Sequence, residues 1–263
     1  MPGFIKNRTK KFSGILFCTD IDGTLTDFQG RLSDENCRSI KYFQENGGLF
    51  TVATGRRAAH LEQYRTLFWP TTYLITLNGS VIAHPDGEAF KELPLGPEAV
   101  GAVGKMTEEY PFLKEIHFHM PHRSARYDGS GYEVFKKQLD EPVYDVVFCQ
   151  TASETLRLKR ELPQKFPRFS FSRSWPNGIE MYSKSAGKGN AVALIKQLTN
   201  SDISIATGNY DNDVDMLLSA DISYVTSDAY YDDGVLLTDA RNAAKKMTVS
   251  CDESAIAHII HSL

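Results

Sequence analysis

The stretch GILFCTDIDGTL (14–25) decides how this chain is read. Its first half, GILFCT, is an unbroken apolar run bounded by Gly14 and by the polar DIDGT, the pattern of a strand buried on both faces. Its second half sets two carboxylates, Asp20 and Asp22, just past that strand. Such a pair suits an acid/base couple or a metal clamp, because buried strands rarely end in paired carboxylates that lack a partner. The Asp-Gly step is also a common surface turn, so the stretch alone leaves both readings open.

Working outward, Ser33 offers a helix N-cap with Asp34 and Glu35 in the first turn, and Gly47-Gly48 closes that helix. LFTVAT (49–54) reads as a second buried strand, a helix is expected from about Arg56 to Phe68, and TYLITL (72–77) as a third strand ending in the turn pair Asn78-Gly79. From His84 to about Lys184 the texture changes to Pro- and Gly-punctuated segments. Helices are expected from Pro97 to Tyr110 and from Ser153 to Phe166, with strands over EIHFHM (115–120), VYDVVFCQ (143–150), FSFS and GIEMYS. After Ala186 the buried pattern returns: a helix (189–198), strand ISIAT (203–207), a helix over Asp213–Ser219, strand ISYVT (222–226) and a closing helix (253–262). The expectation is an α/β fold: a Rossmann-like parallel-sheet core made of residues 1–83 and 185–263, split by an inserted α+β cap of residues 84–184. In such sheets the ligand sits at the carboxyl ends of the strands, so the residues after GILFCT, LFTVA and ISIA should converge.

Composition narrows the class. A chain of 263 residues with 24% charged residues and a net charge of -4 lacks the dense basic face of nucleic-acid or membrane-surface proteins. The basic residues Lys6, Arg8, Lys10 and Lys11 precede no long apolar segment, so neither a signal peptide nor a membrane span is expected, and that end reads as a solvated tail. Cys18, Cys37, Cys149 and Cys251 are scattered without a CxxC pair, which fits a reducing cytoplasm and no disulfide framework. A monomer or homodimer is expected.

The convergent residues are Asp20 and Asp22, then Thr54-Gly55, then Lys188, then Asn209, Asp211, Asn212 and Asp213. Thr54 or Lys188 taken singly says little, and GKGN (187–190) is not a P-loop, since no Ser or Thr follows Lys188. Their order says more. FCTDIDGTL (17–25), VATGRR (52–57), the lysine of IEMYSKSAGKGNAVALI (179–195) and GNYDNDVDM (208–216), with the LNGSVI turn (77–82), resemble the ordered motifs of the haloacid dehalogenase (HAD) superfamily of phosphohydrolases. The likeness is to its Cof-type branch, which carries a large α/β cap, and it covers nearly the whole chain.

That resemblance implies magnesium-dependent hydrolysis of a small phosphorylated metabolite, a sugar phosphate first, with nucleotide-like or vitamin phosphates next. It implies that Asp20 is the nucleophile that becomes an aspartyl phosphate, and that Asp22 is the acid that protonates the leaving group and then the base that activates water. It implies phosphate binding by Asp20, Thr54, Gly55 and Lys188, and a magnesium site formed by Asp20, Asp22, Asn209 and Asp213. Independently of the family, a phosphate dianion and an attacking carboxylate repel, so fixed positive charge from a metal and a lysine is required. One position departs from the pattern: the first acidic-loop residue, usually aspartate, is Asn209, which can coordinate a metal but brings no charge, while Asp211 is an extra carboxylate nearby. Alternatives in view are a phosphomutase or phosphotransferase of the same family and a non-catalytic phosphate-binding homologue. In the insert, His117 and His119 alternate on one strand face, but the sequence shows no Cys or carboxylate at a spacing that completes a zinc set, so they and His122 read as surface residues. Alternatively this strand, with Arg123 and Arg126, faces the substrate; Tyr127, Tyr132 and the pair Tyr230-Tyr231 read as packing residues that could instead stack on a ring.

Overall fold

In the computed structural model, which describes residues 10–229, 231–232, 235–236 and 238–263, the opening apolar run forms strand β1 (Ile15–Thr19). Phe17 joins one apolar cluster while Leu16 and Cys18 join another, so the strand is buried from both sides. Helix α1 (Asp34–Glu45) follows. The Ser33 hydroxyl accepts the Asn36 amide at 3.1 Å, and Asp34 and Glu35 lie at the positive end of the helix dipole. Strand β2 (Leu49–Val52) then pairs parallel with β1.

Two local expectations change here. The helix expected after Arg56 is a 3-10 segment, Ala58–Tyr64, entered at Arg57 without a side-chain cap. First-turn amides without a cap favour the shorter i→i+3 form. The third strand is only β3 (Leu74–Thr76), because Leu77 and Asn78 both adopt positive φ, 47° and 52°. That turn leads into β4 (Val81–Ala83) and β5 (Ala89–Glu92), which form a small antiparallel sheet with β3.

The insert contains α2 (Glu98–Glu109), β6 (Glu115–His119), β7 (Ser124–Tyr127), α3 (Tyr132–Phe135), β8 (Asp145–Cys149), α4 (Ala152–Lys165), β9 (Phe169–Trp175) and β10 (Gly178–Ser183). Its strands form one antiparallel sheet in the order β7-β6-β8-β10-β9. Ile116, Phe118, Val146, Phe148, Ile179 and Met181 share one face, packed with Val103 and Met106 of α2 and Leu158 and Leu162 of α4. Because side chains alternate along strands, the opposite face carries Glu115, His117, His119, Asp145 and Glu180. Tyr127 and Tyr132 are buried among Phe118 and Phe135, which settles them as packing residues.

The chain then returns through α5 (Lys188–Leu198), β11 (Ile203–Gly208), α6 (Val214–Ser219), β12 (Ile222–Val225), a hairpin of β13 (Tyr231–Asp232) and β14 (Val235–Leu236), α7 (Ala240–Ala243), β15 (Lys246–Met247) and α8 (Ala255–His261). The core sheet is parallel, in the order β15-β12-β11-β1-β2. Ile40, Phe43, Ile256 and Ile260 from α1 and α8 cover one face; Val192, Ile195, Met216 and Leu217 from α5 and α6 cover the other. The fold is therefore the expected parallel-sheet α/β core with an added antiparallel cap. No described helix is long and apolar enough to cross a membrane. The Tyr230-Tyr231 side chains and the tail residues Lys6 and Arg8 lie outside the described residues.

Where core and cap join, the two passages of the chain touch. The Gly187 amide donates to the Asn78 carbonyl at 3.0 Å. Gly79 has φ +85°, and a Cβ there would fall 2.4 Å from the Gly187 carbonyl oxygen, so a side chain is excluded by both conformation and space.

Candidate active site

Strand pairing delivers the site residues to one edge of the core sheet. The Asp20 amide donates to Thr207 at the end of β11 (2.8 Å), the Ala53 amide to Thr19 at the end of β1 (2.8 Å), and the Thr54 amide to Ile75 in β3 (3.0 Å). Asp20, Asp22, Thr54, Gly55 and Asn209 consequently line one pocket of about 550 Å³, bounded above by the polar face of the cap sheet. The carboxyl-end rule thus places them as the sequence suggested.

Lys188 enters from below, at the first residue of α5. Its ammonium donates to Asp20 Oδ1 at 2.7 Å and to Asp213 Oδ1 at 2.6 Å, and its side chain is 0% exposed. Burial works against that charge, but the carboxylates of Asp20 and Asp213 hold the ammonium above the usual lysine range. Burial pushes the Asp20 carboxyl up to about 7, with Lys188 pulling against it and Asp213 and Asp22 adding to it. One lysine between two buried carboxylates leaves negative charge for which a further cation is favourable. Asp213 also accepts the Asn209 amide (2.9 Å) and the Tyr210 amide (3.1 Å) through Oδ2, so it sets the loop on which Asn209 stands.

Asp22 is more open. Its carboxylate is gripped by the guanidinium of Arg56, Nη2 at 2.5 Å and Nε at 2.9 Å, while the Arg56 amide donates to Thr54 Oγ1 at 3.1 Å. Gly23, at φ +71°, lies so near Asn209 that a Cβ would meet its Nδ2 at 2.5 Å. The DxDG turn and the acidic loop are therefore in contact. Asp211 goes elsewhere: its Oδ2 accepts Arg173 of β9 at 2.6 Å and Lys159 of α4 at 2.8 Å, and its Oδ1 accepts the Asp239 amide at 2.6 Å. This extra carboxylate ties core to cap, and Asn209 is the residue that lines the pocket.

The cap side supplies Cys149, Trp175 and Glu180, which sequence reasoning passed over as pocket residues. Asn78 bridges the halves: its Nδ2 donates to Glu180 and its Oδ1 accepts Asn212 Nδ2 at 3.2 Å. Burial and the neighbouring Asp145 push the Glu180 carboxyl up to about 8. His117, His119, Cys149 and Trp175 line the pocket roof. His117 and His119, which the sequence suggests are cap-surface residues, lie in the pocket roof; His119 faces Asp145 at 3.4 Å, while Glu115 and Cys149 gather beside His117. Glu115 lies two residues before His117, and Cys149 sits opposite Glu115 in register on β8. Spacing along the chain could not show a partner that only antiparallel pairing supplies. Of the two arginines, Arg123 is engaged by Asp140 and by Glu141 at 2.9 Å, and neither it nor Arg126 is among the pocket residues.

Comparison with known proteins agrees with this geometry. A family model described as haloacid dehalogenase-like hydrolase matches residues 17–260. The chain belongs to this family. An HMP-PP phosphatase of Klebsiella pneumoniae is 26% identical over 227 residues, which is 80% of this chain and 83% of that protein. A haloacid dehalogenase-like hydrolase from B. subtilis superposes with a TM-score of 0.79 at 20% identity, covering 94% of this chain and 99% of the other. The sugar phosphatase BT4131, of HAD subclass IIB, superposes with a TM-score of 0.75 at 20% identity, covering 94% and 98%. Membership in this hydrolase family, together with relatives named as phosphatases, bears out the reading of the chain as a phosphoric monoester hydrolase.

Proposed function

We propose that this family member hydrolyses a small phosphorylated metabolite by phosphoryl transfer to Asp20. One observation carries the reading: the Lys188 ammonium, wholly buried, holds Asp20 at 2.7 Å against the floor of an open polar pocket. A carboxylate fixed by a buried cation, beside a second carboxylate and a hydroxyl, suits attack on phosphorus and has no evident structural purpose.

The Asp20 oxygen not held by Lys188 attacks phosphorus, and the bond to the leaving oxygen breaks. Asp22 gives its proton to that oxygen, then takes one from the water that cleaves the aspartyl phosphate, returning Asp20 as carboxylate and releasing phosphate. Arg56 grips the Asp22 carboxylate, so this pair must loosen for Asp22 to carry its proton. Thr54, Gly55 and Lys188 face the phosphoryl oxygens. The donors available for magnesium are oxygens throughout: Asp20, the main-chain carbonyl of Asp22 and the side-chain oxygen of Asn209, with Asp213 behind them. That set suits a hard cation, and the uncompensated charge around Lys188 favours one. When bound, magnesium neutralises charge on the phosphoryl group. The polar cap face would select the leaving group, with sugar phosphates first in line, in keeping with the name of the structural neighbour BT4131. We take residues 84–184 as that selective unit, the remainder as the catalytic one, and the site as monomeric or dimeric and cytoplasmic.

Phosphate release from a panel of phosphorylated metabolites, with and without magnesium, tests the reading. Release that needs neither magnesium nor Asp20 would overturn it.

A further inference from the structure

The roof of the pocket holds a second cluster whose chemistry differs from that of the floor. Glu115 and His117 lie two residues apart on β6, so both side chains leave the same face of the sheet. On the neighbouring β8, Cys149 stands directly opposite Glu115. A Glu115 carboxylate oxygen, a His117 ring nitrogen and Cys149 Sγ all lie within 4.8 Å of one another, each residue half-buried. His117 Nε2 and Glu115 Oε1 are already 3.0 Å apart. Zinc bonds of about 2.0–2.3 Å set tetrahedral ligand atoms roughly 3.3–3.7 Å from one another, so the trio needs only modest side-chain adjustment.

We propose that Glu115, His117 and Cys149 form a site for a borderline-soft divalent metal, zinc by preference, separate from the oxygen site on the pocket floor. The donor set makes the distinction. Thiolate and imidazole select zinc-like ions, whereas magnesium takes oxygen ligands and keeps several waters. Three protein ligands leave a fourth position, and because His117 and Cys149 both line the pocket, that position opens toward the substrate space. A leaving group with an oxygen or nitrogen donor can complete the coordination there.

Two features oppose binding and set its character. Arg126 Nε lies 3.2 Å from the same Glu115 oxygen, so the guanidinium must swing away as the ion enters. Cys149 is a thiol held above its ordinary range by burial and by Glu115 and Glu180, so forming the metal–sulfur bond sends its proton to solvent. The ion therefore competes with Arg126 for Glu115 and with a proton for Cys149.

The test uses cobalt(II) alone as an optical stand-in for zinc, titrated into the full-length, metal-stripped protein. A thiolate-to-metal charge-transfer band with tetrahedral visible bands is expected, it should disappear on adding zinc, and it should survive excess magnesium. Cys149→Ser, nearly isosteric, should abolish the charge-transfer band. His117→Ala should weaken cobalt binding by about ten-fold or more, as loss of a ligand requires. No thiolate band in the wild type at saturating cobalt would overturn the proposal. So would an undiminished band in Cys149→Ser, which would assign it to Cys37 or another cysteine.

Discussion

The two five-stranded sheets solve opposite problems. The core sheet is parallel and covered on both faces by helices, so its strands offer no free surface, and its chemistry gathers where strands end. The cap sheet is antiparallel and covered on one face only, so its chemistry lies along the strands, on alternate residues of the open side. Strand ends are fixed by backbone pairing, which holds Asp20 and Thr54, while the Asp213 carboxylate holds the Asn209 amide just beyond β11. On the open face the backbone register sets the spacing, and side chains such as Glu115, His117 and His119 decide what it presents. On the proposed function, the contrast places reaction in the core and selection in the cap.

The contrast breaks first at Asp20, the proposed nucleophile. Asp20→Asn should retain the wild-type melting transition and lose at least about 99% of p-nitrophenyl phosphate hydrolysis, since losing a nucleophile costs several orders of magnitude. Residual activity above that level would mean the core edge does not hold the reacting group. The next effect is smaller and depends on substrate. Asp22→Asn should slow alkyl phosphates by roughly 10²–10⁴ and p-nitrophenyl phosphate far less, because a phenolate leaves without a proton. Equal losses on both would remove Asp22 as the leaving-group acid. Asn209→Asp should lower the magnesium concentration for half-maximal activity by about ten- to a hundred-fold if the added carboxylate coordinates directly. A magnesium titration that does not move would show that Asn209 points away from the ion. On the cap, Trp175→Ala should change p-nitrophenyl phosphate turnover by less than about three-fold while reducing kcat/KM on the best natural metabolite by about ten-fold, the scale of one lost pocket contact. If both substrates suffer alike, selection and reaction are not divided between the sheets.

The smallest effect belongs to the far end of the core sheet. Burial works against ionisation of Asp221, but Lys196 and the Ser204 amide and hydroxyl hold its carboxyl down at about 2. Because the folded value lies below the ordinary 3.8, its contribution to stability is present above that pH and is lost as pH falls toward 2. Asp221→Asn should therefore leave kcat unchanged and flatten the pH dependence of the urea midpoint between about 4 and 2. A change in turnover would show that the quiet end of the sheet communicates with the active one.

The same division explains what could be read in advance. Asp20, Thr54 and Lys188 follow or open regular elements, so chain order alone located them. Asn209 and Asp211 stand two residues apart in one loop, and nothing in the sequence says which faces the pocket. Arg173, from a strand in the cap, decides it by claiming Asp211. Cys149 reaches Glu115 and His117 only through the register of β6 against β8, a pairing that local pattern does not encode. Arg56 was visible within VATGRR, but its grip on Asp22 spans 34 residues of chain, a pairing that no local pattern announces.

The pairing of β1 with β11 also dictates an order of events. Ile15 lies beside Ile203, so the strand that leads to Asp20 has its inner neighbour only after most of the chain has been made. The cap closes its apolar cluster within residues 95–181 and depends on neither end. During synthesis the cap can collapse while β1 still waits, and the touching passages at Asn78 and Gly187 then hold its two ends together. A folded cap thereby turns a closure across nearly two hundred residues into a short one, which lowers the entropic cost of completing the central sheet. Pulse-labelled hydrogen exchange during refolding should find the amides of β8 and β10 protected before those of β1.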